Sequence, residues 1–236
     1  MKSLIIGAGE VGTALYKVLK GTYPTVIMDR KPVKMQNFDV MHICFPYSDS
    51  FVQDVRAYQV IYAPKYTVIH STVPVGTTKE VNEFFQHFEY NPTFFSPIRG
   101  VHPYLAKSIK TFVKYLSPPN RELKHYFEKC GIKVKEVKNP DNLEALKVWC
   151  TTQYGLNIIL EKEIYRWCQE KKLDFDIIYT ESNKTYNEGY RKLSMPKYSR
   201  YVLKHMKGGI GGHCVLPNLE FIKSPITKFI HETKLS

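Results

Sequence analysis

The chain has 236 residues, of which 43% are hydrophobic and 24% charged, a balance that fits a globular protein with one large core or two modest ones. It holds no apolar run of the roughly 18 residues a membrane-spanning helix needs, and its start lacks the basic, apolar and small segments of a signal peptide, so a cytoplasmic protein is expected. The formal net charge of +12 points to an anionic partner or to plain solubilisation; the lysines are scattered rather than blocked with aromatics, so a phosphate-bearing small molecule explains the charge as well as nucleic acid does.

Short apolar runs follow one another from the start: Ser3 to Ile6, Thr25 to Met28, Asp39 to Phe45, Thr67 to Thr72, Thr93 to Phe95, Thr111 to Leu116 and Ile132 to Val137. Amphipathic segments separate them, and prolines such as Pro24, Pro46, Pro74, Pro97 and Pro103 stand at their edges. That alternation predicts a doubly wound parallel sheet with crossover helices, an α/β domain of the Rossmann kind over residues 1–138. Asn139-Pro140-Asp141 opens a helix expected from about Asn142 to Lys171, with Leu143, Leu146, Cys150, Gln153, Leu156 or Asn157, Leu160, Ile164 and Trp167 at helical spacing. Residues 139–236 are therefore expected to form a smaller, mainly helical domain built on one long helix.

The first run leads into Gly7-Ala8-Gly9-Glu10-Val11-Gly12. Glycines spaced in this way, between a strand and a helix, let the main chain approach a pyrophosphate at the helix N-terminus. Asp29 closes the next strand, where its carboxylate can accept hydrogen bonds from ribose hydroxyls. It disfavours a 2′-phosphate and so favours NAD, while Arg30 and Lys31 leave NADP open. Pro46 and Ser71, at the ends of the third and fourth strands, complete the expected cofactor set. Ser71 and Thr72 open Ser-Thr-Val-Pro-Val-Gly-Thr-Thr at 71–78, placed at the C-terminal edge of the sheet or in a plain strand-to-helix turn.

Near the other end, 208–214 reads Gly-Gly-Ile-Gly-Gly-His-Cys, four glycines leading to Cys214. Such density suits a loop shaped around a ligand, with free amides that favour a thiolate. The five cysteines, Cys44, Cys130, Cys150, Cys168 and Cys214, are odd in number and widely spaced, which fits neither a disulfide framework nor paired zinc sites, so no metal is expected. Cys44, Cys150 and Cys168 read as small buried apolar residues. A dinucleotide cradle and a reactive thiol in one chain point to redox chemistry on a carbonyl or alcohol.

Four motifs in order, GAGEVG, STVPVGTT, Glu144-x-x-Lys147 and GGIGGHC, resemble the UDP-glucose/GDP-mannose dehydrogenases, which are similar in fold to 6-phosphogluconate and 3-hydroxyacid dehydrogenases. The resemblance implies NAD-dependent oxidation of a nucleotide-sugar alcohol through a thiohemiacetal and a thioester. It implies Cys214 as nucleophile, Lys147 as the cation at the reacting oxygen, Thr72 as a hydroxyl ordering water and cofactor, and Gly212 and His213 beside the substrate. Thr151, Tyr154 and Ile158 share a helix face with Lys147, and Thr151 and Tyr154 are expected to line the substrate cleft. A homodimer through the long helix is expected, as in related two-domain dehydrogenases. The chain departs from the family at Asn91-Pro92-Thr93, where a glutamate follows Asn-Pro, at Thr151, where an asparagine is usual, and at Asn218, where an aspartate is usual. It ends soon after Cys214, so the resemblance covers about the first two-thirds of the family's architecture without its third domain.

Two segments have no family counterpart matched residue by residue. Arg99 and His102, within Ser-Pro-Ile-Arg-Gly-Val-His-Pro at 96–103, stand after a strand edge where a guanidinium could hold an anion and an imidazole could move a proton; a proline-rich turn is the alternative. Tyr-Asn-Glu-Gly-Tyr at 186–190 is a further candidate for the cleft. Two functions remain open beside the nucleotide-sugar or polyol oxidoreductase: a non-catalytic dinucleotide-binding sensor or scaffold, and a nucleic-acid binder.

Overall fold

The computed structural model describes residues 1–29, 31–34, 37–83, 92–101, 103–210 and 215–233. The chain divides into two compact units, Met1–Val148 and Trp149–Ser236.

In the first unit, β1 (Ser3–Ile6), β2 (Thr25–Met28), β3 (Val40–Ile43), β4 (Tyr66–Ile69) and β5 (Thr93–Phe95) form one parallel sheet in the order β2-β1-β3-β4-β5. The helices are α1 (Glu10–Leu19), α2 (Phe51–Tyr62), α3 (Thr77–Glu83), α4 (Leu105–Thr111) and α5 (Arg121–Lys129), followed by the start of α6 (Pro140–Lys171). A second parallel pair, β6 (Lys114–Leu116) and β7 (Val134–Glu136), joins the main sheet through an antiparallel bridge from Phe95 to Ser117.

Strand side chains alternate between faces. Ile5, Val40, Val68 and Phe94 pack with Leu15, Val18 and Leu19 of α1, Leu105 and Ile109 of α4, and Leu123 and Phe127 of α5. Leu4, Ile6, Met41, Ile43, Ile69 and Phe95 pack on the other face with Phe51, Val52 and Val55 of α2, Val81 of α3 and Leu143 of α6. Each such fully buried side chain contributes about 1.5–3 kcal/mol by leaving water. With both faces covered, function is confined to the sheet's ends.

The second unit contains the rest of α6, a π-helical turn at Asp176–Glu181, α7 (Ser182–Lys192), α8 (Leu216–Leu219) and α9 (Pro225–Glu232). Ile159, Val215, Leu219 and Ile230 form its buried cluster, with Leu156 and Ile210 packed against them. A capping box between Ser224 and Thr227 starts α9. The buried positions of α6 here include Thr152, Gly155, Ile159 and Cys168, whereas Cys150 is exposed and Leu160 and Trp167 are 57% and 45% exposed. The expected burial of Cys150 is thus corrected: Val215 approaches the helix at Gly155, where a Cβ would stand 2.8 Å from its side chain, so a residue without a side chain faces inward. No helix among the described residues is long and apolar enough to cross a membrane.

Candidate functional site

Strand order reverses between β1 and β3, so the chain leaves this point in opposite directions and opens a crevice at the strands' C-terminal ends. The glycine turn lies there. Gly7 has φ +102°, and a Cβ on it would lie 2.8 Å from the backbone of Cys44 and Phe45. A Cβ on Gly12 would run into the Gly7 carbonyl. Gly9, by contrast, caps α1 with nothing within 4 Å of a built Cβ, so the protein's own packing does not demand a glycine there. Open space before a helix N-terminus, whose first-turn amides have no partner within the helix, is the shape a pyrophosphate fills. Glu10 is exposed and Val11 half-buried at the helix start. The Ala8 amide points at Asp29 Oδ1, 3.4 Å away, which places this exposed carboxylate beside the turn. These residues fit a dinucleotide.

Around the same edge, Pro46 is exposed, and Ser71 is buried with its hydroxyl donating to the Phe45 carbonyl at 2.6 Å. Ser71 thus ties the loop after β3 to the end of β4. Thr72 is half-exposed next to it. The following turn is strapped to α6 by Glu144, which is 0% exposed and accepts from the amides of Gly76 (2.7 Å) and Thr78 (2.8 Å) and from the Thr78 hydroxyl (2.6 Å). Burial pushes the Glu144 carboxyl above its ordinary range, against the pull of those three donors. One turn further, Lys147 is half-buried and donates to the carbonyl of Ile98 at 2.9 Å. The segment just past β5 therefore meets the lysine. Thr93 is elsewhere: it begins β5, 1% exposed, with its hydroxyl 2.9 Å from the Gln59 amide in the core. The position read as replacing a family carboxylate lies at the strand's entry, away from the edge where ligands of such sheets bind.

Arg99 is half-buried, donating to the Val113 carbonyl at 2.8 Å with its guanidinium 4.9 Å from the centre of the Tyr115 ring. In the second unit, Thr151 is half-buried and Tyr154 exposed on α6, and Asn218 is half-buried on α8. Arg30, His102, Gly212, His213 and Cys214 lie outside the described residues. The chain at 205–208 is anchored to α6 within the same unit: His205 Nδ1 meets buried Glu161 at 2.8 Å and stacks on Tyr165, while Lys162 donates to the carbonyls of Met206 and Gly208. Among the other cysteines, Cys44 is held as a thiol by burial, which pushes it up to about 12, and burial likewise raises Cys130.

The sequence reading did not find the buried polar row under the sheet. Ser3, His42, His70 and Lys114 are 0–5% exposed and follow one another in a row in which Tyr126 bridges Ser3 and His42. A signal was present, since His42 stands within an otherwise apolar strand and a buried strand histidine needs a partner.

No family model matches the chain, and no curated protein does. Solved structures do match in fold. The UDP-D-ManNAc dehydrogenase of Pyrococcus horikoshii is 12% identical with a TM-score of 0.76, over 98% of this chain and 67% of that one. The 3-hydroxyisobutyrate dehydrogenase of Mycobacterium tuberculosis is 12% identical with a TM-score of 0.67, over 98% of this chain and 91% of that one. Psf3, solved in complex with NADP+ and 2-OPP, is 13% identical with a TM-score of 0.63, over 97% and 91%. The chain has the two-part fold seen in these dehydrogenases, and it spans about two-thirds of the length of the first.

Proposed function

We propose that this protein is an oxidoreductase dependent on a nicotinamide dinucleotide, acting on an alcohol of a nucleotide sugar or a smaller anionic polyol. The observation that carries the reading is the Gly7–Gly12 turn at the strand-order reversal, with Gly9 facing open space and Asp29 beside Ala8. The dinucleotide supplies the hydride acceptor. The chain's own residues bind and orient: the amides around Gly9 hold the pyrophosphate, Asp29 accepts from the ribose hydroxyls, and Pro46 and Ser71 border the crevice. Asp29 favours NAD over NADP. Lys147, oriented by the Ile98 carbonyl, provides the cation for the reacting oxygen, and Thr72 orders water. Cys214 is assigned as nucleophile from its glycine-rich loop and the four-motif resemblance, with Arg99, His102, Thr151, Tyr154, Gly212 and His213 toward the substrate. The protein acts as a homodimer.

A second reading is a dinucleotide-binding sensor or scaffold without turnover. It is favoured by Asn218, which has an amide where the family has a carboxylate. Dinucleotide reduction in the presence of UDP- and GDP-sugars, 3-hydroxy acids and polyol phosphates separates the two. Reduction with any of them supports the enzyme. Tight dinucleotide binding with no reduction across the panel leaves the sensor.

A further inference from the structure

Beneath the sheet, on the face covered by α5, a row of buried polar groups runs from the start of β1 to the segment after β5. The Ser3 hydroxyl lies 2.7 Å from Tyr126 Oη, which lies 3.0 Å from His42 Nε2; His42 Nδ1 lies 2.9 Å from His70 Nε2. His70 Nδ1 ends the row at the Ser96 carbonyl, 2.5 Å away. A carbonyl only accepts, so His70 Nδ1 carries a hydrogen. With both rings neutral, His42 Nδ1 then donates to His70 Nε2, and Tyr126 donates to His42 Nε2.

Lys114 enters the same place. Its Nζ donates to the Ser96 carbonyl at 3.1 Å, lies 3.4 Å from His70 Nδ1 and stands 5.2 Å from the centre of the Phe127 ring. Among the described residues no carboxylate pairs with it. The titratable groups facing the cluster are Cys44 from the end of β3, His42 from β3, Tyr126 and Cys130 from α5, and Tyr23, which stacks on Tyr126 at 4.5 Å. Asp39 acts on Tyr126 from a distance. None of them is a carboxylate close enough to compensate a buried ammonium. The row could take up one proton by reversing its donors, but that would put an imidazolium beside the lysine.

We propose that His70 and Lys114 are positioning residues that pin the Ser96 carbonyl from beneath and so set the Ser96-Pro97-Ile98 segment whose Ile98 carbonyl holds Lys147, with proton uptake releasing the pin. The consequence for catalysis rests on the role given to Lys147 above; the pin itself does not. Burial lowers Lys114 to about 7 and holds His70 well below its ordinary range, with Lys114 adding to the His70 shift. When the segment opens, both groups titrate as in water. Between an ordinary lysine value near 10.4 and about 7, each unit of falling pH therefore favours opening about tenfold, and a further window starts below about 6.5 as His70 takes a proton.

Hydrogen–deuterium exchange on the full chain, without cofactor or substrate, tests this independently of any oxidoreductase activity. Corrected for chemical exchange, protection of the Ser96 amide, which donates to the Ile69 carbonyl at 2.9 Å, is expected to fall about 50-fold from pH 9 to pH 7, while β1 changes little. Lys114→Met should flatten that slope. His70→Asn, which keeps a donor for the Ser96 carbonyl but cannot take a proton near neutrality, should flatten the one below pH 6.5 and keeps the test alive if Lys114→Met does not fold. In the same samples, acylation of Lys147 relative to exposed Lys197 should rise as protection falls. A wild-type slope under about threefold, an equal loss in β1, a slope that survives both substitutions, or Lys147 reactivity unmoved by opening would each overturn the proposal.

Discussion

Replacing Glu144 by alanine should loosen the turn at 71–78 from the long helix, and the structure sets the size of the effect. The carboxylate accepts from two backbone amides and a hydroxyl, and no part of the residue is exposed. The Thr78 hydroxyl can rotate toward another acceptor, whereas the amides of Gly76 and Thr78 cannot. Each buried donor left without a partner costs about 1–3 kcal/mol, so Glu144→Ala should destabilise the protein by about 2–6 kcal/mol, the lower end applying if water enters the space. Glu144→Gln keeps one acceptor oxygen and avoids burying a charge, so its loss should be about half as large. Urea denaturation followed by far-ultraviolet circular dichroism reads both. A Glu144→Ala stability within about 0.5 kcal/mol of wild type, or a Gln variant worse than the Ala variant, would refute the strap.

Gly12→Ala should destabilise the fold through the clash with the Gly7 carbonyl, seen as a lowered melting temperature without any ligand; an unchanged value would mean the turn relaxes freely. The folded pKa of His42 lies at about 3, below its unfolded value near 6.5, so the unfolded chain binds more protons and stability falls with falling pH across that window. The slope from this residue should approach about 1.4 kcal/mol per pH unit, and His42→Gln should reduce it in urea titrations between pH 6.5 and 4.5. Cys214 should alkylate faster than Cys44 and Cys130, whose burial keeps them as thiols; peptide mapping after iodoacetamide at several pH values checks it, and equal rates would remove the nucleophile assignment. Trp149, Leu160 and Trp167 leave large apolar surface exposed on α6, so sedimentation at micromolar concentration should show a dimer that Leu160→Glu weakens; a monomer throughout would remove the α6 interface.

The fold was legible because its strands are short apolar runs closed by turn residues. Each of the seven runs from Ser3 onward overlaps a strand, and α6 spans nearly the range its spacing predicts. The buried face of α6 was not legible, because Gly155 faces inward to admit Val215, a matter of shape that hydrophobic periodicity does not encode. The glycine turn at 7–12 could be read because Gly7 and Gly12 answer local backbone needs. Thr93 opens its strand as the run predicts, but that this end of the strand lies away from the ligand-binding edge follows only from the parallel sheet. The row from Ser3 to Lys114 was invisible because its polar groups satisfy one another across elements far apart in sequence.

The most direct test is an equilibrium titration of NADH fluorescence against wild type and Gly9→Trp. Gly9 has open space around it, so the tryptophan should fit without disturbing the fold and occupy the crevice itself. Saturable binding by wild type, lost in a variant of unchanged melting temperature, is the predicted result. Equal affinities for the two proteins, or no saturable binding of NADH or NADPH by wild type, would contradict the dinucleotide site.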